Sequence, residues 1–225
     1  MLANKVGRAF LKPFHAQIRA PMRGARISTW LRRSLVWFKV FLRKQHLFEK
    51  RLCDLQRRHV VGWSDATGVS GKVSAMIYSN NRWFHTVWQT LLAVTKQFMD
   101  RKDEYIAFKE MLGVVLMLHT FREELQGTNV SAYIDNNVSL HALINGYCDD
   151  AAADLNAMAG FTWLDIIEFD VTFFAARVET HANPADDASR DDLGIVTTLQ
   201  AEWKEPVLPT WVFDIWREAD ALFPE

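Results

Sequence analysis

Four acidic residues stand at positions from which their carboxylates could form one site. Asp65 and Asp135 each end a predicted β-strand, and strand ends of this kind gather along one rim of an α/β sheet. Glu110 lies inside an apolar helical stretch, and Asp186 lies in the first turn of the last predicted helix. Ionised carboxylates that come together repel one another unless cations neutralise them, and oxygen ligands select hard metals such as Mg²⁺ or Mn²⁺. Two such ions held about 4 Å apart can activate a water and stabilise the leaving oxygen of a phosphodiester.

Glu110 is the most informative of these acids. It shares one predicted helical face with apolar residues and a glycine, namely Ile106, Gly113, Val114, Met117 and Phe121. A face of this kind is expected to pack on the sheet. A carboxylate within it is costly to bury unless it is paired or binds a cation. We therefore expect Glu110 to bind a cation together with the other acids.

Each acid taken alone also fits an ordinary structural role. Asp65 fits a turn or cap residue, and Asp135 fits a helix N-cap. Asp186 fits a first-turn acid that the helix dipole favours. Glu110 could lie at the edge of its apolar face and reach solvent. The metal-site prediction therefore depends on all four acids and on their order along the chain.

The segments around the acids predict an α/β domain with a mixed five-stranded sheet flanked by helices. The predicted strands cover residues 59–65, 73–78, 82–88, 129–135 and 171–178. The predicted helices cover residues 30–52, 102–125, 136–144, 149–168 and 184–190, and Gly127 and Gly146 mark two helix ends. After the first helix the order is β-β-β-α-β-α-α-β-α. Tight turns, including an Asn80-Asn81 hairpin signal, indicate that the first three strands form an antiparallel meander.

Charge divides the chain of 225 residues, although its net charge is only −1. Residues 1–60 carry 15 Lys and Arg but two acids, whereas the remainder carries 11 basic and 25 acidic residues. We therefore expect a basic arm and helix over residues 1–56, the α/β domain over 57–192 and a tail over 193–225.

The helix of the basic arm has two predicted sides. The apolar side consists of Leu31, Leu35, Phe38, Leu42 and His46, and the basic side consists of Arg32, Arg33, Lys39 and Arg43. The basic side fits contacts with nucleic-acid phosphates. Two alternatives stay open: the helix docks its apolar side on the domain and leaves the arginines solvated, or the N terminus is an organelle-targeting segment.

Composition excludes several classes of protein. Apolar residues make up 49% and charged residues 24% of the chain, which favours a packed core over wholesale disorder. The most apolar run, residues 111–118, is far shorter than the roughly 18–20 residues of a membrane span, so we expect no membrane partner. Cys53 and Cys148 have no metal-site or disulfide-framework spacing, which suits a reducing compartment, cytoplasmic or nuclear.

Four short motifs contain the acids. They are Trp63-Ser-Asp-Ala-Thr-Gly68, Ile106-Ala-Phe-Lys-Glu-Met-Leu112, Tyr133-Ile-Asp-Asn-Asn137 and Asn183-Pro-Ala-Asp-Asp-Ala-Ser-Arg190. In this order they resemble the ribonuclease H domain of retroelement reverse transcriptases, nearest to the type found in tyrosine-recombinase (DIRS-like) retrotransposons. The last motif resembles the family's closing N-x-A-D-x-x-S-R element and is the most specific. The resemblance spans about residues 58–190, and the Trp-containing segment Ser34-Leu-Val-Trp-Phe38 resembles the linker that precedes the nuclease in these elements.

The resemblance implies a ribonuclease H-like fold and Mg²⁺-dependent hydrolysis of RNA in an RNA–DNA hybrid, with Mn²⁺ as a possible substitute. It implies two metal ions, with Asp65 bridging both, Glu110 and Asp135 holding one, and Asp186 holding the other. Asp187 could replace Asp186, although the Asn-x-Ala-Asp register favours Asp186.

Nucleic acid is the partner that the resemblance implies, and a reverse transcriptase polymerase domain is a second possible partner. We expect Asn136 to contact nucleic acid together with the basic side of the first helix. His181 lies five residues before Asp186, and the catalytic histidine of cellular relatives is not carried over to it.

Two other functions compete with the nuclease. The first is a catalytically idle module of the same fold that binds nucleic acid through the basic arm. The second is an exonuclease or integrase-like nuclease, against which the Asp–Glu–Asp–Asp order with a helical Glu favours ribonuclease H. A polymerase is disfavoured, because Tyr133-Ile-Asp-Asn lacks the second Asp of a polymerase hairpin.

Overall fold

The computed structural model describes residues 10–11, 14–15, 27–43, 56–68, 70–91, 106–147 and 153–213. Several sequence predictions lie outside these residues. They concern Cys53, Cys148 and His46, the helical residues 44–52, 102–105 and 149–152, and the end of the tail at 214–225.

A mixed sheet of six strands forms the centre of the described structure. The strands are β1 (His59–Ala66), β2 (Lys72–Ser79), β3 (Arg82–Gln89), β4 (Asn129–Ile134), β5 (Thr172–Arg177) and β6 (Glu202–Trp203). They lie in the order β5-β4-β1-β2-β3-β6, with β1 to β3 antiparallel, β4 parallel to β1, β5 parallel to β4 and β6 parallel to β3. The mixed α/β sheet and the meander are thus confirmed. The expectation of five strands is wrong, because the C-terminal tail contributes β6.

The β2–β3 hairpin fixes the register of the meander. Ser79 pairs with Arg82, so the connecting loop has only two residues. These are Asn80 and Asn81, and both have positive φ, at 52° and 59°. Two positive φ values in a two-residue loop match the twist of paired strands, and asparagine adopts them more readily than most residues.

Seven α-helices with described bounds accompany the sheet, and residues 10–11 and 14–15 are also helical. They are α1 (Thr29–Arg43), α2 (Ile106–Thr120), α3 (Arg122–Leu125), α4 (Asn137–Asn145), α5 (Ala153–Glu168), α6 (Pro184–Ser189) and α7 (Gly194–Thr198). The single helix expected up to residue 125 is broken at Phe121, the residue between α2 and α3. The helix ends expected at Gly127 and Gly146 are confirmed, and both glycines have positive φ, near 70°. The helix at 184–190 is not the last, because α7 follows it.

Helix α2 is buried on all sides rather than on one. Every residue from Ala107 to Leu118 is buried, so the predicted face of Ile106 and Glu110 is only part of its buried surface. The helix comes close to β1, since a Cβ added at Gly62 would lie 2.5 Å from the sulfur of Met117. A helix that is apolar all round needs cover on every side. Here the sheet covers one side and α5 covers another, because α5 contributes to the same apolar core.

The two faces of the sheet carry different helices. Ser64 faces α2, since a Cβ added at Gly113 would lie 3.0 Å from its Cβ. The neighbouring Asp65 contacts Ser189 of α6 on the other face, as the alternation of a strand requires. A small second core of Met76, Ala185, Ala188 and Val196 forms between the sheet and the helices α6 and α7.

Helix α1 packs on the domain through Trp37. The Trp37 side chain is 1% exposed and stacks on Phe10 at 4.6 Å between ring centroids, and Phe10 meets Phe161 of α5. Of the apolar side predicted for α1, Leu31 is buried and Phe38 packs on the core, but Leu35 and Leu42 are 37% and 59% exposed. That prediction is wrong in part, because the indole ring of Trp37, which lies outside the predicted side, buries more apolar surface than the leucines would. Helix α1 thus docks on the domain as one alternative expected, but Arg32 and Arg33 are half-buried rather than solvated.

The tail packs on the domain as far as the structure describes it. Strand β6 pairs with β3, and the Lys204 amide donates a hydrogen bond of 2.9 Å to the carbonyl oxygen of His85. The Trp211 indole donates to Asp165 of α5 at 3.2 Å, and Val212 is fully buried. Residues 194–213 therefore add to the fold. In the part of the chain described, no helix has both the length and the apolar character needed to cross a membrane.

Candidate metal centre

Three of the four acids come together at the rim of the sheet. Asp65 and Asp135 are neighbours because β1 and β4 run parallel, with Ser64 opposite Ile134, and each acid follows one of those paired residues. Glu110 reaches them from the second turn of α2. Each of the three residues offers a carboxylate oxygen, and these oxygens lie within 4.8 Å of one another. The convergence predicted for these three acids is confirmed.

Asp186 reaches the same place from the other face of the sheet. It lies in the first turn of α6 and lines one cleft together with the three clustered acids. The cleft has a volume of about 630 Å³ and is completed by the β1–β2 turn, Ile106, Asn136, Arg190 and Asp191. All four predicted acids thus face one cavity, although Asp186 is not part of the tight group of three.

Short polar contacts place α6 beside β1 and β2. Asn183 caps the helix by accepting from the Ala185 amide at 3.2 Å, and its own amide donates to the Ser64 carbonyl oxygen at 3.0 Å. The Ser74 hydroxyl donates to the carbonyl oxygen of Ala185 at 2.5 Å. The Ser189 hydroxyl lies 2.5 Å from Asp65 Oδ2. These contacts fix where Asp186 enters the cleft.

Each carboxylate is held by a neighbouring donor. Asp65 accepts from the Ser189 hydroxyl, and Asp135 Oδ2 accepts from the Thr180 hydroxyl at 3.1 Å. Glu110 accepts from the backbone amide of Ala66. Asp186 Oδ1 lies 2.6 Å from Arg190 Nη2. Such donors orient carboxylates and leave their other lone pairs to a ligand.

The buried position of the acids changes their protonation. Burial, with the negative charges of Asp65 and Asp135, raises the pKa of Glu110 to about 10. Burial likewise raises the pKa of Asp65 to about 6, against the lowering effect of the Ser189 hydroxyl. The pKa of Asp186 is also raised by burial, while Arg190 opposes the rise. Positive charge in the cleft would oppose all three shifts.

The chemistry of the donors fits a hard divalent cation. Glu110 is 3% exposed, and its Oε2 is a buried oxygen without a hydrogen-bond partner. An unpartnered buried carboxylate oxygen is costly unless a cation satisfies it. The tight group supplies oxygen ligands alone, which suits Mg²⁺ or Mn²⁺ better than softer metals.

Three of the four acids do not have the ordinary structural roles that the sequence also allowed. Asp65 lies within β1 and is buried, so it is not a turn residue. The N-cap of α4 is Asn136, not Asp135. Glu110 does not reach solvent. Asp186 is a first-turn acid of α6, but its carboxylate also faces the cleft.

Of the other residues considered for the site, Asn136 lines the cleft, whereas Asp187 and His181 are exposed. Asp187 is exposed, and the residue of this pair that lines the cleft is Asp186. His181 is an exposed residue of a 3₁₀ turn at Thr180–Ala182 rather than of a strand end. Asn136 lines the cleft, but its Oδ1 accepts from the amides of Val138 and Ser139. Its nucleic-acid contact stays a prediction.

The basic side of α1 is not part of the cleft lining. Arg32 and Arg33 are half-buried, and Lys39 and Arg43 are exposed. Their contact with nucleic acid stays a prediction. Sequence reasoning named no role for Ser74, Ser189 or Asn183. The last two lie in the closing motif and could have been found there, whereas nothing in the sequence singled out Ser74.

Comparison with known proteins adds no family to this description. No model of a known protein family matches the chain, and no curated protein matches it significantly.

Proposed function

We propose that this protein is a metal-dependent endonuclease that hydrolyses the RNA strand of RNA–DNA hybrids, as the ribonuclease H part of a retrotransposon reverse transcriptase. The observation that carries the proposal is the convergence of Asp65, Glu110 and Asp135 within 4.8 Å. Asp186 faces the same cleft from the opposite side of the sheet. The ordered motifs that resemble the ribonuclease H family support the substrate, and that support is analogy.

The reaction requires a water to attack phosphorus and the ribose oxygen to leave. Two divalent ions, when bound, would activate that water and stabilise the leaving oxygen. Asp65 would be shared between them, and this role is supported by its position in the tight group and beside α6, which carries Asp186. Glu110 and Asp135 would hold one ion, and Asp186 would hold the other.

The remaining residues of the site serve to orient the acids. Ser189 and Thr180 fix Asp65 and Asp135 by hydrogen bonds, so these two carboxylates keep their direction before any ligand binds. Lys109 donates to the carbonyl oxygen of Gly68 at 2.9 Å and so holds the β1–β2 turn at the edge of the cleft. Ligands that are already oriented lower the cost of ordering side chains when cations bind.

The test is cleavage of a labelled RNA–DNA hybrid in Mg²⁺ or Mn²⁺, followed on a denaturing gel. We expect endonucleolytic products from the RNA strand that disappear with EDTA and in Asp65→Asn. The matched control is Asp187→Asn, which removes an exposed carboxylate next to Asp186 and should leave cleavage unchanged. Circular dichroism and thermal melting establish that Asp65→Asn is folded.

Two results would reject the proposal. Cleavage that persists in a folded Asp65→Asn variant would show that these acids do not carry it. Binding of the hybrid without cleavage, in a protein that also fails to bind Mn²⁺ by calorimetry, would instead favour the catalytically idle nucleic-acid-binding module.

A further inference from the structure

Asp186 differs from the other acids of the cleft in its nearest neighbour. The oxygens of Asp65, Glu110 and Asp135 lie within 4.8 Å of one another, whereas Asp186 stands outside that group. Its Oδ1 lies 2.6 Å from Nη2 of Arg190, four residues later on the same turn. Asp186 therefore has a positive partner within the chain before any cation arrives.

The Arg190 side chain approaches Asp186 from solvent. The side chain of Asp186 is 12% exposed, whereas that of Arg190 is 60% exposed. An arginine with this exposure has several rotamers available. Arg190 can therefore leave Asp186 without unpacking the core of the domain.

The guanidinium and a cation would compete for the same oxygen. A nitrogen 2.6 Å from Oδ1 occupies one lone-pair direction of that oxygen, and a divalent ion bound to the same oxygen, at about 2.0–2.2 Å, would lie close beside the guanidinium. Two positive groups at such distances also repel each other, all the more because Asp186 is largely buried. Contact of Asp186 with Arg190 therefore weakens its contact with a cation.

We propose that Arg190 is an internal counterion that competes with a second divalent cation for Asp186, so that the cleft fills in two steps. The proposal rests on the proposed function, which requires a cation at Asp186. Asp65, Glu110 and Asp135 take the first ion while Arg190 stays on Asp186. Asp186 binds a second ion tightly once the guanidinium leaves it.

The test is a titration of the full chain with Mn²⁺, in which the EPR signal of free Mn²⁺ gives the number of bound ions and their dissociation constants. The variants are Arg190→Gln, Arg190→Lys and Asp186→Asn, and the double variant combines the first and the last. The matched control is Arg82→Gln, which removes an exposed arginine paired with Glu202 at the sheet edge. Thermal melting verifies that each variant is folded.

We expect the wild-type protein to bind one ion tightly and a second more weakly. Arg190→Gln should tighten the second ion by up to about fivefold, because an ion pair of this exposure contributes at most about that factor. The first ion should change little. Arg190→Lys keeps the charge and should resemble the wild type. Asp186→Asn should lose the second ion, and adding Arg190→Gln to it should have no further effect.

Different results overturn different statements. An unchanged second dissociation constant in Arg190→Gln overturns the counterion and leaves the nuclease proposal standing. If Arg190→Gln still tightens Mn²⁺ binding in the Asp186→Asn background, the counterion proposal is also overturned. The effect would then come from the lost positive charge and not from contact with Asp186. A wild-type protein that binds no Mn²⁺ overturns both proposals.

Discussion

Glu110→Gln should make the metal-free protein more stable and less sensitive to pH. Glutamine has nearly the shape of a protonated glutamate, and burial raises the pKa of Glu110 from 4.5 to about 10. In the folded protein Glu110 therefore keeps a proton that the unfolded chain has lost. For an acid with a raised pKa, the stabilising contribution is complete below the unfolded value of 4.5. It is lost as pH rises toward 10.

The magnitude follows from the difference in bound protons. Each pH unit inside this window removes up to about 1.4 kcal/mol of the free energy of unfolding, or about 3 kcal/mol between roughly pH 6.5 and 8.5. Asp65 changes stability in the same direction, but its window ends near its folded pKa of about 6. The interval above that value therefore reports mainly on Glu110.

The assay is urea denaturation in EDTA at several pH values within this interval, with the wild type and Glu110→Gln side by side. The stability of the wild type should fall relative to that of the variant by the amount given above. Glu123→Gln, which changes an exposed acid of α3, is the matched control and should run parallel to the wild type. Parallel curves for wild type and Glu110→Gln would refute the reasoning, because Glu110 would then be ionised in the folded protein.

Three further predictions concern the cation, the orientation of Asp65 and the N-terminal helix. Mn²⁺ binding near pH 7.5 should release about one proton to the buffer, so the apparent binding enthalpy should differ between Tris and PIPES. Equal enthalpies in the two buffers would contradict a protonated carboxylate cluster. Ser189→Ala removes the hydroxyl that holds Asp65 and should weaken Mn²⁺ binding by about 10- to 100-fold, measured by calorimetry. The control Thr198→Ala removes an exposed hydroxyl of α7 and should leave Mn²⁺ binding unchanged. An unaltered dissociation constant in Ser189→Ala would show that Asp65 needs no such support. Trp37→Ala should lower the free energy of unfolding by about 3–5 kcal/mol, whereas Leu35→Ala, on the exposed side of α1, should lower it by less than about 1 kcal/mol. Equal losses in the two variants would show that Trp37 does not lie on the buried side of α1.

The sequence determined the elements and the identity of the acids. Turn residues and the alternation of apolar residues are local signals, and they predicted the meander, the two-residue hairpin and most helix limits. The closing motif from Asn183 to Arg190 predicted a helix whose first turn carries Asp186. Local chemistry is sufficient for such features because capping and hairpin geometry involve residues only a few positions apart.

Tertiary structure decided which side chains meet. The Ser189–Asp65 contact and the burial of α2 on all sides depend on residues far apart in sequence, and no periodicity encodes them. Strand β6 was missed because two residues are too few to show an alternating pattern. The buried side of α1 was predicted only in part, because a leucine periodicity does not say which side chain packs against the domain. Trp37 stacks on Phe10, and the apolar surface buried by this contact outweighs the cost of leaving Leu35 and Leu42 exposed.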